Sequence, residues 1–433
     1  MKIKTNNLII WIYLIISSLF LLFFNNLICF SLINILLIIL MCFCLKLDIK
    51  NPLLLFLVIF ILYQISYPIL NLLNIRVFEY SLINDNYYLY NWIATVSFII
   101  FYGKIENIRY DVSNLSFEMK SNIMIVIYVI MSLICIFSSF YIIYNGFQSK
   151  YELANSGNKI IQIGNIFYTI LIIYPVYLNL GKNISNKNKN ILSIFNLLLM
   201  IFGMLTFGER SYLFNYIIVY LLFYFTCNKI NYKQVLIIFT LAFILLSTSS
   251  SMKMFLSSNK YRTVKNDNIV VGFLNSDFAS AGFNFNYLLN NENDTKGIFL
   301  GKTYIYDFLS PFEDLLPISK YSSTKWYSNK YWSTRKTGLG FSIIGEGYIN
   351  FGLIGIIVEM FILARLTKFL YKRSNKNSYY YIIYLGYLSL MMYSCRQALG
   401  NIISPLFKYH ILLALLIFFI NKVEMKKERV LDE

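Results

Sequence analysis

Charge is scarce in this sequence. Asp, Glu, Lys and Arg make up 14% of its 433 residues against 58% hydrophobic, and the mean hydropathy is +0.59. A soluble domain, with roughly a quarter of its residues charged, is excluded; a polytopic membrane protein is what remains. Histidine is reduced to His410 alone, and the six cysteines (29, 42, 44, 135, 227 and 395) lie in or at the ends of apolar segments without paired spacing. That excludes a disulfide framework and a zinc site. The DxD pair of acids that holds a metal in soluble sugar-nucleotide transferases is absent as well. No metal and no cofactor is expected.

What is present is long apolar runs separated by short polar ones. Runs near the roughly 20 residues a bilayer requires occur at 8–24, 27–45, 52–70, 87–103, 121–144, 160–180, 191–207, 212–227, 234–251, 341–364, 379–395 and 402–420. They predict an all-α polytopic membrane protein of about twelve helices. The first run is expected to stay uncleaved, since no small-residue cleavage site follows it. Residues 1–251 form the first nine helices, 252–340 one large polar loop, 341–421 the last three helices and 422–433 a basic tail. Little apolar periodicity marks the Asn- and Ser-rich stretch 252–300, which predicts loosely ordered chain.

The net charge of +17 is dealt out between the apolar runs instead of gathered on one face. Topology produces that distribution; nucleic-acid binding does not. If the N-terminus is cytoplasmic, 21 of the 38 Lys and Arg fall on its side, and the short loops opposite hold only Arg76, Lys150, Lys159, Arg210 and Arg396. Both termini are therefore expected in the cytoplasm, and the large loop outside it.

Arg210, in Gly208-Glu209-Arg210, and Arg396, in Cys395-Arg396-Gln397, run against that preference. Each is a candidate for binding an anion, with snorkelling to headgroups or pairing to Glu209 as the simpler alternative. Arg262 and Arg335, near the two ends of the large loop, are weaker candidates because a solvated loop carries arginine freely. Lys408 lies six residues into the last run, roughly 9 Å deep at 1.5 Å per residue, just past Pro405. It is expected to face the bundle interior or a wet cavity. His410, two positions on, points to the other side and reads as a core residue.

Within the loop, 304–317 mixes aromatics, acids, Pro311 and Pro317, which predicts a short amphipathic helix at the membrane interface. Lys325-Trp326-Tyr327 and Tyr331-Trp332 suit anchoring at headgroups, or stacking on sugars. The loop closes on 341–361, FSIIGEGYINFGLIGIIVEMF. Gly345, Gly347, Gly352 and Gly355 thin one side of that helix for close approach of another helix or a lipid tail. Glu346, about one turn inside, is costly there unless it is paired or faces water; Glu359 is more simply a partner of Arg365.

Arginines, a few acids and no metal ligands beside a membrane suit transfer from a lipid-diphosphate-linked sugar. Guanidinium forks neutralise the leaving diphosphate, and one carboxylate takes the acceptor's proton. Glu346 is the first choice for that base, then Glu209 and Asp307.

Gly338 to Gly355, with the core Gly345-Glu346-Gly347-Tyr348-Ile349-Asn350-Phe351-Gly352, resembles the Wzy-type O-antigen and capsule repeat-unit polymerases. The Gly208-Glu209-Arg210 and Arg396 corners are similar to positions of that family. The resemblance implies a polymerase in the bacterial cytoplasmic (inner) membrane. It would join lipopolysaccharide or capsule repeat units carried on undecaprenyl diphosphate, with a flippase and a chain-length regulator as partners. Some members carry paired loops, each with an arginine followed by a glycine. Arg262 with Gly272 and Arg335 with Gly345 follow a similar pattern within a single loop. Three alternatives stay open: an O-antigen ligase, which relies on a loop histidine this sequence lacks; a lipid-linked oligosaccharide flippase, which needs no such loop; and a non-enzymatic sensor, which leaves Arg210, Arg396 and Lys408 unexplained.

Overall fold

A computed structural model of the chain describes residues 2–46, 48, 50–75, 82–108, 110, 115, 121–147, 152–153, 156–181, 186–227, 240, 274, 278–313, 315–316, 318–333 and 340–419. Among these the chain is all-helical. The helices are α1 (Lys2–Phe23), α2 (Leu27–Cys44), α3 (Pro52–Leu72), α4 (Tyr87–Tyr102), α5 (Ser121–Tyr144), α6 (Lys159–Leu171), α7 (Tyr174–Leu180), α8 (Asn186–Phe207) and α9 (Arg210–Cys227). They continue with α10 (Ala279–Asn290), α11 (Glu292–Thr295), α12 (Lys302–Leu309), α13 (Ser323–Tyr331), α14 (Ile343–Ser374), α15 (Ser378–Tyr393) and α16 (Gly400–Pro405).

Helix occupies eleven of the twelve apolar runs; residues 234–251 lie outside the described set apart from Thr240. Among the described residues, seven stretches are long and apolar enough to cross a membrane: Leu27–Cys44, Pro52–Leu72, Met124–Tyr144, Lys159–Leu180, Lys187–Phe207, Ile343–Ser374 and Gly400–Phe419. The remaining apolar helices, α1, α4, α9 and α15, are shorter or less apolar. Local chemistry fixes several starts. Asn26, Asn51 and Asn158 each cap a helix by accepting from a backbone N–H two or three residues on, and Pro52 supplies the preset first-turn φ.

The chain divides into two compact units. One comprises Met1–Arg109, Val264–Phe369 and Met391–Ser404; the other comprises Tyr110–Thr263, Leu370–Leu390 and Pro405–Glu433. In the first unit, α3 is buried along most of its length and takes α10 against it, through ring pairs Tyr63–Phe278 and Tyr67–Phe283. Gly282 permits the approach, since a Cβ there would lie 2.7 Å from Tyr87 Oη and 2.9 Å from Tyr67 Cβ.

Helix α10 corrects the expectation of loose chain through residue 300. Asn284 and Asn286 are fully buried because each is answered. Asn284 Nδ2 donates to the Phe341 carbonyl at 3.3 Å and its Oδ1 accepts from Tyr327 Oη at 3.0 Å. Asn286 Oδ1 accepts from Asn84 N at 2.8 Å and Nδ2 donates to Leu82 O at 3.0 Å. Asparagine breaks the apolar pattern without breaking the core when its amide finds partners on other segments.

α12 is amphipathic, as 304–317 suggested, with Ile305 and Phe308 exposed and Thr303, Tyr306 and Asp307 buried. It stops at Leu309, where Pro311 enters a 3₁₀ turn; Pro317 lies outside the described residues. The loop aromatics turn out to pack on one another. Tyr327 and Trp332 are buried, and Tyr287 meets Tyr327, Tyr331 and Trp332 edge-on or tilted. Those two rings serve the fold of the unit instead of headgroups or sugars.

Candidate active site

The motif Gly345–Gly352 is not a continuous helix. Phe351 (φ −143°, ψ 26°) and Gly352 (φ 60°, ψ −135°) break α14 into a short first half and a long second one. Gly352 occupies a region that other residues enter only at a cost of about 1–3 kcal/mol. The break frees the Tyr348 and Ile349 carbonyls. They accept instead from Gly297 N at 3.2 Å and Phe299 N at 3.1 Å, backbone some fifty residues earlier. Irregular backbone inside a membrane helix persists only when protein answers it in this way. Across the break, Gly347 and Gly355 lie backbone to backbone, and a Cβ on Gly355 would fall 1.8 Å from Gly347 O. Those two glycines therefore serve the helix's own fold, where the sequence suggested another helix or a lipid tail.

Glu346, in the first turn of α14, is fully buried. Its Oε2 accepts from Leu399 N at 2.7 Å. Its polar neighbours include the side chains of Asp307, Thr303 and Ser323. Asp307 arrives from α12, also with no exposed surface, and packs on Gly400, where a Cβ would lie 2.5 Å from Asp307 Oδ1. Burial first, then the carboxyls of Glu346 and Glu359, hold the Asp307 carboxyl well above the usual range.

Glu359 is a third member of this buried group. It lies one turn past Gly355 and beside Tyr304, whose hydroxyl also donates to Gly355 O at 3.3 Å. The expected pairing of Glu359 with Arg365 does not form. Arg365 is exposed and lies over the Phe361 ring.

Arg396 lies on the corner that Glu346 and Asp307 touch, in a 3₁₀ turn, Ser394–Arg396. Its carbonyl accepts from Phe341 N at 2.7 Å, which docks the start of α14 on the corner, and Gly340 (φ 75°) leaves that carbonyl 3.0 Å from where its Cβ would be. The guanidinium reaches Tyr393, donating from Nη2 to Oη at 2.5 Å. Three candidates from distant stretches, Asp307, Glu346 and Arg396, thus meet on the 394–400 corner.

The second unit holds Glu209, Arg210 and Lys408. Gly208 (φ 70°) turns the chain between α8 and α9, and Glu209 and Arg210 are half-buried at that turn. Tyr212, on the first turn of α9, stacks on Tyr168 at 5.0 Å and bonds Asn165 through its hydroxyl. Lys408 is half-buried on a π-helical turn, Leu406–Ile411, that follows Pro405. His410 on that turn is buried against Gly386, as a core residue should be, although its Nδ1 has no hydrogen-bond partner. Arg262, Gly272 and Arg335 lie outside the described residues.

With this arrangement, a family model for the O-antigen polysaccharide polymerase Wzy matches residues 7–428, nearly the whole chain. The chain belongs to the Wzy family. No curated protein and no solved structure matches it. Wzy polymerases act on lipid-linked oligosaccharide repeat units, so this is a multi-pass membrane polymerase of the glycosyltransferase type. In this Wzy chain the sequence missed Thr303, Asn350 and the Leu399 amide. Asn350 stood inside the quoted motif, and its place one turn from Glu346 was the available signal; a backbone N–H such as that of Leu399 leaves none.

Proposed function

We propose that the chain moves the growing glycan from one undecaprenyl diphosphate carrier to the non-reducing end of a repeat unit on another. The transfer takes place on the outer face of the cytoplasmic membrane, with both termini inside and the 252–340 loop outside. The acceptor hydroxyl oxygen bonds to the anomeric carbon as the bond from that carbon to the diphosphate breaks, its electron pair leaving with the phosphate. The hydroxyl proton passes to Glu346, the general base. Arg396 and Arg210, with Arg262, Arg335 and Lys408 as further cations, neutralise the diphosphate without a metal ion. Glu209 and Asp307 are the next candidates for the base. A flippase supplies the repeat units and a chain-length regulator sets when transfer stops.

One observation carries this reading: the Arg396 corner donates a backbone N–H to Glu346, so an arginine and a carboxylate placed far apart in sequence share one short segment. Glu346 has no exposed surface, so α12 or α13 moves off it when substrate arrives. The test is glycan length in a host lacking the gene, complemented with Glu346→Gln, Arg396→Ala or Arg210→Ala. Single repeat units from each variant, with normal insertion, support the reading; a full ladder from all three overturns it. Full-length polymer stranded on lipid in the uncomplemented host would indicate a ligase instead.

A further inference from the structure

Thr303 and Asp307 stand one turn apart on α12, and Glu346 and Asn350 stand one turn apart on the first half of α14. The two helices meet on two rungs. On one, Asn350 Nδ2 donates to Thr303 Oγ1 at 2.6 Å and to the Glu346 carbonyl at 2.9 Å, while its Oδ1 accepts from Gly301 N at 3.0 Å. On the other, the Asp307 and Glu346 carboxyls are hydrogen-bond neighbours. All four side chains have no exposed surface.

The second rung lacks a donor. Leu399 N answers Glu346 Oε2, but Glu346 Oε1 and both Asp307 oxygens receive no hydrogen bond from the protein. Two buried carboxylates held together repel, and neither can donate. A single proton resolves both problems, as it does wherever two carboxyl groups share a site. Which carboxyl holds it follows from two asymmetries: the Leu399 amide donates to Glu346 at 2.7 Å and favours its ionised form, whereas the Gly400 amide beside Asp307 makes no hydrogen bond of that kind and Asp307 also faces the Glu359 carboxyl.

Resting on the reading of Glu346 as the general base, we infer that Asp307 is a positioning residue that carries the pair's one proton and donates it in a hydrogen bond to Glu346. Glu346 is then the ionised member, aimed by Asp307 and by the Asn350 rung. The other titratable groups around the pair are Glu359 beyond the helix break and Tyr304 and Tyr306 on α12, with Glu313 bonded to Tyr306. Burial and the neighbouring carboxyls favour the protonated form of Asp307.

The experiment uses the full chain in proteoliposomes, with lipid-linked repeat units extracted from cells that lack it. Polymer formation is followed from about pH 5 to about pH 9. Wild type should lose rate on the acid side as Glu346 is protonated and on the alkaline side as Asp307 ionises. Asp307→Asn keeps a neutral donor in nearly the same shape. It should stay active and lose the alkaline limb, the readout that a merely structural role would not move. Asp307→Leu should lower kcat about tenfold or more with KM unchanged. An Asp307→Asn protein that melts like wild type yet is inactive at every pH, or that keeps the wild-type alkaline limb, overturns the inference. Activity in Glu346→Gln overturns the underlying reading instead. Should Asp307→Asn fail to fold, infrared spectra of Glu359→Gln, which removes the neighbouring buried carboxyl, decide. A protonated carboxylic acid band at neutral pH supports the inference and its absence overturns it.

Discussion

Replacing Gly352 by alanine asks whether the break in α14 is what places Glu346. The added Cβ meets only the Lys296 side chain, 3.3 Å from Cγ, and a flexible stem gives way easily. The cost is therefore conformational. If the break is kept, alanine at φ 60°, ψ −135° is strained by about 1–3 kcal/mol. If the helix instead closes, the Tyr348 and Ile349 carbonyls return to helical bonding and the Gly297 and Phe299 amides lose their acceptors. Two orphaned donors cost about 2–6 kcal/mol together, set against the roughly 1 kcal/mol by which alanine prefers helix to glycine. Either route predicts a net loss of about 1–5 kcal/mol. It also predicts a shortened or absent glycan ladder, because Thr303 and Asp307 lie on the helix that follows this stretch. Gly146→Ala is the control. That residue also has positive φ (64°), with open space around it, so it should bear strain while leaving the ladder intact. Melting in detergent and glycan length in complemented cells are the assays. A Gly352→Ala protein with wild-type melting and a full ladder would refute the view that the break builds the site.

Gly355→Ala drives a Cβ against Gly347 O, which is backbone, and should cost about 3 kcal/mol or more; Gly345→Ala meets side chains alone, the tip of Leu288 at 2.8 Å and Ser342 Cβ at 3.2 Å, and should cost about 1–2 kcal/mol. Comparing their folded yields and melting temperatures checks the order. Asn350→Ala orphans the Gly301 amide and should cost about 2–4 kcal/mol in melting experiments, with loss of polymer. Asp307 has a raised carboxyl, so its contribution to stability is full below the unfolded value of about 3.9 and is lost as pH rises until Asp307 ionises in the fold. The melting temperature of wild type relative to Asp307→Asn should therefore fall from about pH 4 upward, and a flat difference would contradict it. Arg396→Ala removes a hydrogen bond to Tyr393 and should cost only about 1 kcal/mol while abolishing polymer, a separation that melting and ladder assays expose together.

The class and most of the helices were legible in the residues alone. Apolar runs near bilayer length force helix because no other local structure satisfies the backbone in lipid, and asparagine or proline at their starts marks several boundaries. Charge out of place singled out Glu346, Arg210 and Arg396, since an ionisable group in an apolar context is costly wherever the chain goes. It took the folded chain to show that α14 is broken, that 279–290 is a buried helix, that Glu359 belongs with Asp307 instead of Arg365, and that Asp307 meets Glu346. Each of those outcomes depends on a partner far along the chain: Gly297 for Tyr348, Tyr327 for Asn284, Tyr304 for Glu359, Leu399 for Glu346. Periodicity and propensity report what a segment does with its near neighbours. A freed carbonyl, a buried amide or a shared proton is settled by whatever donor the fold brings alongside.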